Sequence, residues 1–116
     1  MYQVTKRDGQ IVDFNLSKIS LAIEKAFNAQ EKEYNQDIID LLALKVTADF
    51  EPKIKNSLIQ VEDIQDSVEA VLIKAGYSDV AKAYILYRRQ REKLRNMRST
   101  YLDYKNVVDS YLDASD

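Results

Sequence analysis

Two groups of residues in this sequence carry side chains suited to binding a charged, planar ligand. The first lies near the start: Lys6 and Arg7 stand directly before an Asp8-Gly9 pair, and Asn15 and Lys18 follow a short run of alternating residues. Three cations grouped around a turn and a helix start can neutralise a chain of phosphates, and backbone donors at the helix start add to the positive field. The Asn15 amide, with a paired acceptor and donor, can read the edge of an adenine. The same residues also describe a surface hairpin with solvated charges and a helix cap, and on these residues alone both readings stay open. The second group is Tyr84, Tyr87, Arg88 and Arg91, spaced three or four apart and so on one helix face. Aromatic and guanidinium groups on one face suit stacking on a base and pairing with phosphate. The alternative is a tyrosine pair at the core edge beside a solvated basic stretch.

Composition narrows the chemistry. The chain has no Cys and no His, which excludes a thiol nucleophile, a disulfide and cysteine-ligated zinc, and removes the commonest general base and metal ligand. Acids such as Glu62, Asp63, Asp66 and Glu69 have the spacing of a solvent-facing helix surface. With two glycines in all, the chain has neither a G-x-x-x-x-G-K phosphate loop nor a dinucleotide fingerprint. A nucleotide would therefore be held without the usual loop, and nothing positions a water or an attacking group for hydrolysis. A formal charge of −2 argues against a general nucleic-acid binder and leaves the basic run Arg88–Arg98 as a local feature. At 116 residues, 46% hydrophobic and 31% charged, the chain is expected to form one small folded domain. No run approaches the roughly 20 apolar residues of a membrane span. The expectation is a cytoplasmic binding or regulatory module rather than an enzyme.

The elements that must position these residues are legible from periodicity. Tyr2–Arg7 and Gln10–Phe14 read as two strands joined at Asp8-Gly9, a strong hairpin signal. From Asn15 the period becomes helical, with Ile19, Ala22, Ile23, Ala26 and Phe27 on one face and Glu24 and Lys25 opposite. The polar stretch 28–35 closes that helix, and Asn35 can cap a second over Gln36–Phe50. Its stripe of Ile39, Leu42, Val46 and Phe50, widened by Ile38, Leu41 and Leu44, predicts a helix crossing the centre of the core. Pro52 ends it. Leu58–Gln60 can add a third strand. Val61, Ile64, Val68, Val71, Leu72 and Ala75 mark a third helix stopped by Gly76, and Ser78 with Asp79 opens a fourth that turns basic after Tyr87. Residues 99–116 read as a linker or short helix.

Taken as a set, these motifs resemble the ATP-cone family. The resemblance rests on Val4-x-Lys6-Arg7-Asp8-Gly9 followed by Phe14-Asn15-x-x-Lys18-Ile19, on Val61-x-Asp63-Ile64-Gln65-Asp66-x-Val68-Glu69, and on Val80-Ala81-Lys82-Ala83-Tyr84-Ile85-x-Tyr87-Arg88-x-x-Arg91. The blocks arrive in the family's order and spacing, over about residues 3–95. The implied fold is α+β, mainly α: a small three-stranded sheet, including the hairpin, capping a four-helix bundle over residues 1–98. The implied function is allosteric. In ribonucleotide reductases, ATP bound to the cone switches the enzyme on and dATP switches it off, through a change of oligomeric state. A second branch of the family sits in a transcriptional repressor behind a cysteine-ligated zinc ribbon, which this Cys-free chain lacks. The tail Tyr111-Leu112-Asp113-Ala114-Ser115-Asp116 resembles the junction into the barrel of the anaerobic, glycyl-radical reductases.

Residue by residue, the resemblance implies that Lys6, Arg7 and Lys18 hold phosphates and that Asn15 lies near the adenine. Val4 and Ile19 would wall the base pocket, with Val61 also at the site. Gln65 would face the sugar and Arg91 the phosphates, while Tyr87 and Arg88 match positions that serve a second nucleotide in some members. Val12 stands where some relatives carry an acid that helps to read adenine; Asp13 is its neighbour. The implied ligands are ATP and dATP with Mg2+ on the phosphates. The implied partners are further copies of the chain and the rest of a reductase, with no protein-held metal.

Overall fold

In the computed structural model, residues 2–114 are described as backbone and residues 2–98 with their side chains. Among the described residues there are three short strands, β1 (Gln3–Thr5), β2 (Ile11–Asp13) and β3 (Leu58–Gln60), and four helices, α1 (Leu16–Ala29), α2 (Gln36–Phe50), α3 (Val61–Lys74) and α4 (Ser78–Ala114). The strands form one sheet in the order β2-β1-β3, antiparallel between β1 and β2 and parallel between β1 and β3. The mainly helical α+β architecture matches the expectation. The strands are shorter than the alternating runs suggest.

The hairpin explains one of those differences. Gly9 N donates to Lys6 O at 3.0 Å and Lys6 N to Gln10 O at 2.8 Å, with Gly9 at φ 89°. This is a three-residue loop, Arg7-Asp8-Gly9, with glycine in the left-handed position. Arg7 is therefore in the loop and not at the end of the strand. Its side chain is released from the alternation of β1.

Helix boundaries follow local chemistry. Asn15 Oδ1 accepts from Ser17 N at 2.9 Å and Asn35 Oδ1 from Ile38 N at 2.9 Å, so both asparagines act as N-caps. Gly76, at φ 88°, ends α3 with Tyr77 N donating to Leu72 O and Gly76 N to Ile73 O. The same pair of bonds ends α1, from Lys32 N to Phe27 O and Glu31 N to Asn28 O, but there Glu31 takes the left-handed position at φ 52°. A 3-10 turn, Glu51–Lys53, follows α2 at Pro52.

The core is built on α2, which packs against both α1 and α3. Phe27, Phe50, Ile23, Ile39, Leu72 and Val46 are its largest buried side chains. Leu41 and Leu44 depart from the expected stripe: they are 52% and 57% exposed, because the face that meets α1 and α3 is already filled by Ile39, Leu42, Ala43 and Val46. Tyr2, Phe14 and Phe50 stack within 4.6–6.0 Å of one another and fasten the hairpin base to the end of α2. Burial raises the Tyr2 phenol above its ordinary pKa, and the Glu51 carboxylate adds to the shift.

The chain divides into two units, residues 1–85 and 86–116. In the first, Val80, Ala81, Ala83 and Tyr84 of α4 are buried, so Tyr84 is a core residue and offers no stacking face. In the second, the described backbone is helical as far as Ala114. The side chains of the junction-like tail at 111–116 lie outside the described residues.

Candidate functional site

The site takes its shape from the parallel pairing of β1 with β3. Thr5 is opposite Gln60, and α3 begins at Val61 with no intervening loop. The hairpin loop that continues from Thr5 therefore lies beside the first turns of α3. Arg7 reaches across: its Nη2 donates to Gln65 Oε1 at 3.2 Å, and its Nε lies 3.5 Å from Glu62 Oε1. The Arg7 side chain is only 20% exposed. A hydrogen bond and an ion pair hold a normally mobile cation in a set direction, which is the first requirement of a phosphate site.

Lys6, which precedes Arg7 in the chain, and Lys18, in the first turn of α1, are exposed and form no ion pair among the described residues. Asn15, also exposed, uses its Oδ1 as the α1 cap, which leaves its amide nitrogen as the group able to meet a base. Val4 and Ile19 are buried in the core, while Val12 and Val61 are half-buried and packed against it. Tyr87, Arg88 and Arg91 belong to the second unit. There the Arg91 guanidinium lies 5.9 Å from the centre of the Tyr87 ring, a cation–π arrangement on one face of α4.

Glu62 was not distinguishable in the sequence from the other acids on the outer face of α3. Only the β1–β3 register brings it to Arg7, and that register spans more than fifty residues of chain, as the separation of 58 between Arg7 and Gln65 shows. Among the described residues, no group of three or more His, Cys, Asp or Glu could hold a metal ion. No helix among them is long and apolar enough to cross a membrane. Away from the site, Lys32 bonds Asp79 at 3.1 Å, which lowers the Asp79 pKa, helped by a bond from Val80 N.

Residues 2–93 match the ATP cone domain family. The chain is 38% identical over 103 residues to a ribonucleoside-diphosphate reductase subunit alpha of Chlamydia muridarum, covering 82% of this chain and 10% of that one. It is 37% identical over 97 residues to a vitamin B12-dependent ribonucleoside-diphosphate reductase of Mycobacterium tuberculosis, covering 84% of this chain and 13% of the relative. An anaerobic ribonucleoside-triphosphate reductase of Haemophilus influenzae is 32% identical over 101 residues, covering 84% and 14%. The chain thus spans a small fraction of the length of the relatives it matches.

Proposed function

This chain belongs to the ATP cone domain family, and from that premise we propose that it is the nucleotide-sensing regulatory domain of a ribonucleotide reductase. The observation that carries the reading is Arg7, held by Gln65 and Glu62, with Lys6 next to it in the chain and both Lys6 and Lys18 exposed. In this reading, Lys6, Arg7 and Lys18 bind the triphosphate of ATP or dATP, and Mg2+ arrives on the phosphates. Asn15 meets the adenine through its amide nitrogen. Val4, Val12, Ile19 and Val61 supply the apolar surround.

ATP and dATP differ by one hydroxyl, so their opposite effects must start at the sugar. Gln65 is the group assigned to it: its Oε1 is taken by Arg7, and its amide nitrogen can donate to the 2′-hydroxyl. A site that bonds this hydroxyl leaves a polar group unsatisfied when dATP binds, and that penalty separates the two ligands. The ligands then bias the hairpin and α4 toward different arrangements, which expose or cover a self-association surface. We take the parent enzyme to be the anaerobic reductase, a reading supported by the tail at 111–116 and by the Haemophilus influenzae relative. Sedimentation velocity with ATP, with dATP and without nucleotide tests the switch. The expected result is a different assembly with dATP; one unchanged species in all three conditions would contradict it.

A further inference from the structure

Arg7 presents its side-on fork, Nε with Nη2, which is the edge that pairs bidentately with carboxylates and phosphates alike. Two residues of α3 already face that fork: Gln65 accepts from Nη2 at 3.2 Å and Glu62 lies 3.5 Å from Nε. The two differ in kind. Gln65 is neutral and directs the guanidinium without cancelling its charge. Glu62 is an anion, 58% exposed, that asks for the same N–H groups as a phosphate oxygen.

We infer that Glu62 is a built-in competitor for Arg7 that sets the affinity of the site for polyphosphates. This rests on the nucleotide reading of the cradle and assigns to that site a regulator the family resemblance does not name. An incoming triphosphate must displace the Glu62 carboxylate or share Arg7 with it at the cost of anion–anion repulsion. The contact also keeps Arg7 aimed at the site before a ligand arrives. Because the pair is partly exposed and solvent-screened, its hold is modest. Affinity is thereby lowered without the site being closed, as a sensor of abundant nucleotides requires.

The neighbouring acid supplies a control. Asp63 lies in the same first turn of α3, and its side chain makes no hydrogen bond or ion pair among the described residues. Glu62→Gln and Asp63→Asn therefore remove the same charge from the same turn, and only the first removes an ion pair with Arg7. Calorimetric titrations of the whole 116-residue chain and of both variants with ATP, AMP and adenosine test the inference. Glu62→Gln is expected to bind ATP about fivefold tighter, the scale of one exposed ion pair. The gain should shrink with AMP and vanish with adenosine, while Asp63→Asn stays within about twofold of wild type. Unchanged or weaker ATP binding by Glu62→Gln would overturn the inference, as would an equal gain in Asp63→Asn or an equal gain with adenosine. Absence of ATP binding by the wild type and both variants would remove the nucleotide reading itself.

Discussion

The Arg7 guanidinium donates to the Gln65 amide oxygen across 3.2 Å, joining a hairpin loop to a helix 58 residues further along the chain. The bond exists because β3 pairs in parallel with β1 and passes directly into α3. It converts a flexible arginine into a fixed donor. Replacing Gln65 by Ala should weaken ATP binding by roughly 1.5 kcal/mol, the lower end for a hydrogen bond to a charged group. A competition titration with a fluorescent ATP analogue measures this, and wild-type affinity in the variant would show that Arg7 needs no such support.

Gly9 holds the loop that carries Arg7. Its φ of 89° lies in the left-handed region, and an added Cβ would meet nothing within 4 Å. The cost of Gly9→Ala is therefore conformational rather than steric, roughly 1–2 kcal/mol. Thermal unfolding should show a lowered midpoint, with Gly9→Asn intermediate because asparagine tolerates this region better. Equal midpoints for glycine and alanine would contradict the loop assignment.

Ser67 is 1% exposed, and its hydroxyl has no hydrogen-bond partner among the described residues. A buried hydroxyl without a partner keeps its desolvation penalty and gains nothing for it. Ser67→Ala should therefore stabilise the domain, by about 1 kcal/mol, and urea unfolding gives the value. Loss of stability would mean that the hydroxyl has a partner in solution.

The Lys32–Asp79 pair links the loop after α1 to the start of α4 and holds the Asp79 carboxyl below its ordinary value of 3.8. A carboxyl with a lowered folded-state pKa stabilises the fold above its unfolded pKa, and this contribution is lost as pH falls through the folded value. Asp79→Asn should thus flatten the acid limb of the stability–pH curve below about pH 5 and leave its slope near neutrality unchanged. Denaturation midpoints measured from pH 7 to pH 3 report this; superimposable acid limbs would show that the pair carries no linkage.

The parts of this molecule governed by near neighbours could be read in advance. The Asn15 and Asn35 caps, the Gly76 stop and the spacing of Ile19, Ile23, Ala26 and Phe27 are decided within a few residues, and each stands as the sequence implies. Where two or more elements decide together, the sequence was less informative. Leu41 and Leu44 have the types and spacing of core residues, yet α1 and α3 use the other side of α2. Glu31 ends α1 in a conformation that composition associates with glycine. The Arg7–Glu62 contact depends on a strand register set at long range, and no local pattern distinguishes Glu62 from the acids beside it.

The central claim is that Lys6, Arg7 and Lys18 form a cradle for a nucleotide triphosphate. Isothermal titration of ATP and of dATP into the wild-type chain, Lys6→Ala and Lys18→Ala tests it most directly. Saturable binding of both nucleotides at micromolar concentrations is predicted for the wild type, with a loss of roughly 1–3 kcal/mol in each variant, the scale of one charged hydrogen bond. Circular dichroism should show the fold unchanged in each variant. No heat of binding from either nucleotide, or wild-type affinity in both lysine variants, would contradict the account.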